Sequence, residues 1–384
     1  MAKPTVAELQ ELGLYDPAAA DAEQRLELLE FLISTGASAE DLLAYRDELP
    51  GLPFLLAMRG GSALTLQDAV ERTGIAEEKL LRFIRAAGFP QPAPADRAFT
   101  AQFVDLVGGV MAAEQVFGEV AVLQLVRVMG SAMARLADAL VSAFLVNVEP
   151  AARGRDAVGL GVARANADAA ALMPLVGVAL DGLLRQHLVG ARRTILGDTG
   201  DSGYETRQMC VGFIDLVGST ALAQRLSTRE LGAVLTKFEH VATDAVTSAG
   251  GRVVKLIGDE VLYVTGEERQ ACAIALGLAA AFGQHERVPP VRAGVAGGEV
   301  MMRDGDVFGP VVNLAARAVK AAGAGEVVAP AAVAAAAGVR AEPLGSRQLK
   351  GIGGGVELYR LERERGGRGA PAGDAPRRSG SPSE

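Results

Sequence analysis

Apolar positions change their period once along this chain, near residue 200, and that change divides it in two. From Glu23 to Ile33, Leu26, Leu29 and Ile33 recur at three- and four-residue spacings, the mark of a helix with one apolar face, and Gly36 is placed to stop it. Thr65–Phe89 predicts two short helices, with Thr65 and Asp68 at capping-box spacing and Gly74 at the turn. From Thr100 to Val148 apolar residues nearly close round the helix, with charges only at intervals such as Glu114, Glu119, Arg127, Arg135 and Asp138. A helix of that kind must be buried, in its own core or against a second copy. Helical periodicity resumes from Asp156 to Leu196, is interrupted near Pro174, and ends in the Gly/Asp/Ser run 197–203.

Beyond that run, short apolar stretches alternate with helical ones. Met209–Ile214 predicts a buried strand, Ser219–Leu226 and Thr228–Ser248 predict helices, and Arg252–Thr265 predicts two strands joined at Gly258 and Asp259. A helix over Glu267–Gly283, a strand over Val291–Gly297, a turn at Arg303–Gly305, a helix opened by Gly309 and Pro310, and a closing stretch Gln348–Leu361 follow. This β-α-β-β-α-β order predicts a ferredoxin-like α+β core. The expected organisation is an all-helical domain over 1–196, a linker over 197–204, the α+β domain over 205–361, and a disordered tail over 362–384.

Charge sharpens the division. The formal charge is −8, and all of it falls on residues 1–200, which hold 17 Lys and Arg against 25 Asp and Glu. The two-helix segment at Thr65–Phe89 is similar to a DNA-binding helix-turn-helix, yet an acidic half matches nucleic acid poorly, so a packing role is expected and no nucleic-acid partner. Cys210 and Cys272 lie in apolar patterns and read as reduced core thiols of a cytoplasmic protein. The start lacks a signal-peptide stretch, and the longest uncharged apolar run in the first half, Ala169–Leu180, is too short to span a bilayer. No membrane insertion is expected.

Candidate chemistry concentrates in the second half. Asp215 ends the first predicted strand, and Asp259 sits in the hairpin turn. With the hairpin beside that strand, the two carboxylates would share one edge and could bridge Mg²⁺ or Mn²⁺. Asn313 and Arg317, four apart, share one face of the helix opened by Pro310, and Asp306 precedes it. Lys350 lies against the Gly351–Gly353 turn. Only six lysines occur against 32 arginines, and Lys255 and Lys350 both fall inside these motifs, which argues against a random surface origin.

Four motifs in order, FIDLVGST, KLIGDE, DVFGPVVNLAAR and LKGIG, make residues 205–361 resemble the catalytic domain of class III nucleotidyl cyclases. The first half resembles, less sharply, the helical regulatory domain of some bacterial members. The resemblance implies that Asp215 and Asp259, with the backbone carbonyl of Leu216, bind two Mg²⁺ or Mn²⁺ ions per site. It implies that Lys255 and Asp306 recognise the purine, that Asn313 and Arg317 act on the ribose and α-phosphate, and that Lys350 holds the terminal phosphates. Lys255 lies only four residues before Asp259, so the two cannot easily serve one nucleotide within one chain, and the resemblance implies a head-to-tail homodimer with shared active sites.

The implied reaction is ATP to cyclic AMP and pyrophosphate. Adenine offers an N6 donor and an N1 acceptor, which a carboxylate and an ammonium complement; guanine reverses the pattern. A guanylate cyclase is the nearest alternative, and a catalytically silent sensor or DNA-binding regulator the next. The first half is expected to contribute to dimerisation and to regulate, by autoinhibition or in response to pH, with His187 the histidine to test among His187, His240 and His285.

Overall fold

The computed structural model describes residues 4–59, 63–154, 158–194, 205–285 and 287–363. Residues 197–204 of the expected linker and all but the first two residues of the expected tail lie outside the described residues. The chain separates into two compact units, Met1–Ile195 and Leu196–Glu384.

Among its described residues the first unit is helical except for one short ladder. Its elements are α1 (Val6–Glu11), α2 (Ala22–Ser34), α3 (Ala39–Ala44), α4 (Leu52–Met58), β1 (Ala63–Leu64), α5 (Leu66–Thr73), α6 (Glu77–Ala86), β2 (Phe99–Thr100), α7 (Ala101–Ala112), α8 (Glu114–Phe117), α9 (Glu119–Asn147), α10 (Glu149–Arg153), α11 (Leu160–Ala171) and α12 (Met173–Thr194). Two separate small cores form. Leu28, Leu29, Leu32, Leu42 and Leu52 pack with Leu160 and Ala163 of α11, and Leu80, Phe83 and Ile84 pack with Val104, Val107, Val122 and Val126. The capping box at Thr65 and Asp68 is present, and Gly74 ends α5 with a φ of 69°. On α6, Lys79 pairs with Glu114 and Arg82 with Glu119 at 2.7 Å. Two of the three cations this helix would offer to a phosphate backbone are therefore held by carboxylates of its own unit.

The long apolar helices depart from expectation. Val122 and Val126 are the buried residues of α9, with Leu123 partly buried beside them and Gly130 close to Ala87, so most of the rest of this helix finds no core among the described residues. Glu119–Arg153 and Leu160–Ala191 are each long and apolar enough, by length and composition, to cross a membrane, with 11% and 6% of their most apolar windows buried. Neither contains a long uncharged run, because widely spaced charges interrupt the run without lowering its average apolarity.

The second unit is built on β3 (Glu205–Leu216), α13 (Ser219–Arg225), α14 (Thr228–Ser248), β4 (Arg252–Ile257), β5 (Glu260–Thr265), α15 (Glu268–Gly283) and β6 (Val291–Arg303). It continues with β7 (Asp306–Phe308), α16 (Pro310–Ala321), β8 (Val327–Pro330), α17 (Ala331–Ala337), β9 (Arg340–Gln348) and β10 (Gly355–Glu362). The sheet order is β4-β5-β3-β6-β8-β10-β9, with β7 paired to β6. The first four strands run antiparallel as a ferredoxin-like β-α-β-β-α-β unit. Parallel β8 and the β10–β9 ladder extend it.

One sheet face packs Ile214, Val261 and Tyr263 against Phe238 of α14 and Phe282 of α15. The other packs Val211, Phe213 and Leu262 against Ala315 and Val319 of α16. Close approach of α16 is set by Gly294, where an added Cβ would stand 2.1 Å from the Val319 nitrogen and 2.6 Å from the Ala315 carbonyl oxygen. Both cysteines are buried, and burial pushes each thiol pKa up to about 12, so both stay protonated and unreactive near neutrality.

Candidate active site

Strand β3 is apolar from Cys210 to Ile214 and ends in a buried aspartate, Asp215, 4% exposed. Strand alternation turns Asp215 to the same side as Phe213, toward α16. The neighbouring turn arrives through a backbone bond, Leu216 N–H donating to the Asp259 carbonyl at 3.1 Å. Gly258 allows that turn with a φ of 63°. The Ser219 hydroxyl, at the start of α13, donates to the Asp259 carboxylate. Asp215, Leu216 and Asp259 thus gather where the interior strand β3 ends.

Asp215 is not left bare. Arg292, its cross-strand partner on β6, donates to Asp215 Oδ2 from Nε at 2.8 Å, with Nη2 at 2.6 Å. Lys320 of α16 donates to the same oxygen at 3.1 Å. Next to them, Glu260 Oε1 is buried with no hydrogen-bond partner. It lies 3.6 Å from Lys320 Nζ, an ion-pair distance too long for a hydrogen bond. Burial raises the Glu260 pKa, Lys320 opposes the shift, and the negative charge of Asp215 adds to it. Sequence reading missed Arg292, Lys320 and Glu260. For Lys320 a signal existed: it is another of the six scarce lysines, and seven residues after Asn313 it falls on the same helix face as Asn313 and Arg317.

Lys255 of β4 and Asp306 of β7 meet in a direct ion pair. The Val307 amide donates to the other Asp306 oxygen at 2.8 Å and fixes its orientation. Leu256, Ile257 and Phe308, large exposed apolar side chains, neighbour this pair along the chain. Arg317 Nε donates to the Lys350 carbonyl at 3.0 Å, which brings the α16 face to the glycine turn, where Gly351 has a φ of 81°. Asn313 lies one helical turn before Arg317 and is exposed. The candidate residues therefore form three groups: Asp215 with Leu216 and Asp259, Lys255 with Asp306, and Asn313 with Arg317 and Lys350. Among the described residues, no hydrogen bond or ion pair joins one group to another.

The carboxylate end suits a divalent cation. No cluster of three or more His, Cys, Asp or Glu positioned to hold a metal occurs among the described residues. A magnesium-type ion needs only one or two carboxylates when a nucleotide's phosphates complete its shell. Asp215 is a buried carboxylate already holding two cationic groups, and Glu260 Oε1 lies buried nearby at ion-pair distance from Lys320. The oxygen-only donor set fits Mg²⁺ or Mn²⁺.

Comparison with known proteins gives the family of this second unit. The adenylate and guanylate cyclase catalytic domain family matches residues 203–363. An uncharacterized protein of Mycobacterium tuberculosis H37Rv is 34% identical over 319 residues, covering 81% of this chain and 83% of that protein. An adenylate cyclase of Streptomyces coelicolor is 34% identical over 255 residues, 65% of each chain. A pH-sensitive adenylate cyclase of M. tuberculosis CDC 1551 is 29% identical over 363 residues, 88% of each. The chain belongs to the class III nucleotidyl cyclases, with a helical unit ahead of the cyclase domain.

Proposed function

We propose that this protein is an adenylate cyclase, converting ATP to 3′,5′-cyclic AMP and pyrophosphate at sites shared between two copies of the chain. The observation that carries the base assignment is the Lys255–Asp306 pair. Opened onto a purine, it presents an ammonium donor and a carboxylate acceptor side by side, matching adenine N1 and N6 and opposing guanine O6 and N1–H. Phe308 and Ile257, exposed close to the pair in sequence, offer apolar surface for the ring.

Asp215 and Asp259, with the Leu216 carbonyl, would hold two Mg²⁺ or Mn²⁺ ions. Such ions acidify the ribose 3′-hydroxyl and neutralise the triphosphate. The protein's own groups supply position and charge. Asn313 holds the ribose so that its 3′-oxygen lies in line with the α-phosphorus. Arg317 meets the charge that grows on the α-phosphoryl oxygens as the bond to pyrophosphate breaks, a contribution of about 2.7–4 kcal/mol for stabilising groups of this type. Lys350 holds the terminal phosphates. Separation of the three residue groups within one chain supports division of the work: one chain offers the carboxylates, and its partner offers Lys255, Asp306, Asn313, Arg317 and Lys350.

The helical unit regulates this site by biasing how the two cyclase domains meet. The similarity to the pH-sensitive M. tuberculosis adenylate cyclase makes pH the first input to examine, and His187, exposed on α12, the first histidine. Reduced, buried thiols fit a cytoplasmic setting. The purified full chain, given ATP or GTP with Mn²⁺ or Mg²⁺, tests the assignment. Cyclic AMP as the dominant product is expected; dominant cyclic GMP, or no product from a folded dimer, contradicts it.

A further inference from the structure

Strand β4 delivers to one place two cations that strand alternation would send apart. Arg252 and Lys255 are three residues apart, so in a regular strand their side chains would leave opposite faces of the sheet. The register with β5 breaks between them. Val253 pairs with Tyr263 and Lys255 with Leu262, which leaves Val254 as the extra residue of a β-bulge. Arg252 and Lys255 therefore stand opposite Val264 and Leu262, two apart on β5, and share the face that packs toward α16.

Both cations end at the turn between β6 and β7. Arg252 Nη1 donates to the Gly305 carbonyl at 3.0 Å, and Lys255 pairs with Asp306 one residue on. In the sheet order β5, β3 and β6 stand between β4 and β7, so side chains, and no backbone ladder, tie these two strands together. The turn has a defined shape. Asp304 and Gly305 carry φ values of 57° and 79°, the positive pair that a type I′ hairpin requires, and Arg303 pairs with Asp306 across it. That shape sets the direction of the Gly305 carbonyl, which Arg252 grips. At Asp306 the Val307 amide takes one carboxylate oxygen at 2.8 Å, leaving the other to Lys255. Without Arg252, the partly exposed Lys255–Asp306 ion pair would carry this attachment, and pairs of that kind are weak by themselves.

We propose that Arg252 is a positioning residue for base recognition: its bond to the Gly305 carbonyl holds Asp306 opposite Lys255 and so sets the preference for adenine over guanine. This rests on the reading of Lys255 and Asp306 given above. Arg252 itself contacts no nucleotide. Freeing the turn removes the fixed acceptor that adenine N6 uses, whereas guanine offers O6 there and has no such bond to lose. Discrimination by a polar contact is the kind most sensitive to its placement.

Two substitutions test this. Arg252→Met keeps the aliphatic stem and removes every donor, and Arg252→Lys leaves one ammonium for the carbonyl. Arg252 is exposed on an edge strand, so both chains should fold, which thermal unfolding by circular dichroism verifies. Steady-state kinetics of the full chain with ATP and GTP are paired with binding of 3′-deoxy-ATP and 3′-deoxy-GTP, which cannot cyclise. Arg252→Met is expected to lower the ATP:GTP ratio of kcat/KM about ten-fold, the low end for a charged hydrogen bond. The change should fall on KM and on 3′-deoxy-ATP affinity, with kcat for ATP little altered. Arg252→Lys should recover most of the ratio. Equal losses for both nucleotides, an unchanged ratio in folded Arg252→Met, or an Arg252→Lys chain no better than Arg252→Met would overturn the proposal. Asp306→Asn, assayed beside them, keeps the two readings apart. If it lowers the ratio and Arg252→Met does not, the positioning role alone fails; if it leaves the ATP preference intact, the base assignment fails and takes this role with it.

Discussion

Asp215 and Arg292 face each other in register across β3 and β6, and the guanidinium closes on a single carboxylate oxygen from Nε at 2.8 Å and Nη2 at 2.6 Å. Lys320 approaches the same oxygen from α16 at 3.1 Å. On the proposed reading, a divalent ion at Asp215 would compete with these two cations.

That competition gives a binding prediction. The Lys320 side chain is half exposed, so its pair with Asp215 is worth about 0.2–1 kcal/mol. Lys320→Met should tighten Mn²⁺ binding to the nucleotide-free chain by up to about five-fold, and Asp215→Asn should abolish it. Titration of free Mn²⁺ by electron paramagnetic resonance reads both. Weaker binding by Lys320→Met would show that Lys320 organises the site instead of guarding it.

Base choice is open to a charge reversal. On the proposed reading, Lys255→Glu removes the donor toward adenine N1, and the carboxylate of Asp306 gains a like charge beside it. Loss of a charged hydrogen bond of about 1.5–3 kcal/mol lowers kcat/KM for ATP by about 10–150-fold, while GTP, with its N1–H and amino donors, should lose far less. Steady-state kinetics with both nucleotides measure the ratio.

Gly294 is predicted to be irreplaceable for packing. Its hypothetical Cβ meets backbone of α16, which cannot step aside as a flexible side chain can. Gly294→Ala should destabilise the cyclase unit by about 1–3 kcal/mol and displace the helix carrying Asn313, Arg317 and Lys320. Denaturant unfolding measures the first effect and activity the second.

Acid sensitivity should trace in part to Glu326. Hydrogen bonds from Arg360 and from the Gly323 amide hold its carboxyl below the ordinary glutamate range. In the window between the folded and unfolded pKa values the unfolded chain binds more protons, so this contribution is full above the ordinary value and is lost as pH falls through the lowered one. Glu326→Gln should therefore flatten the acid limb of unfolding midpoints recorded from pH 3 to 6 and leave their pH dependence above pH 6 unchanged.

Much of the second unit was readable because its strands are apolar runs closed by chemistry-bearing turns: β3 ends at Asp215, and β4 and β5 flank Gly258 and Asp259. Strand β8, helix α17 and strand β9 were not readable. Ala331–Ala337 is nearly all alanine and carries no period, and Arg340–Gln348 contains proline and glycine and is mostly exposed, so its pattern is that of a loop. The motif aspartates and lysines announced themselves by spacing. Arg292 and Glu260 did not, because their relation to Asp215 comes from cross-strand register, which no linear spacing displays. The length and apolarity of α9 were visible in the sequence, but its exposure was not, since a buried helix and one awaiting a partner share a composition.

The central claim, that two chains divide the labour of one cyclase site, is tested most directly by complementation. Asp215→Ala removes a carboxylate that the account gives to one chain, and Asn313→Ala removes a ribose contact that it gives to the other. Each variant alone should form no cyclic AMP from ATP. Co-expressed and purified as a verified heterodimer, they should regain part of the wild-type rate, because one of the two sites then carries neither substitution. A verified heterodimer with no recovered activity, alongside an active wild-type chain, would contradict the shared site.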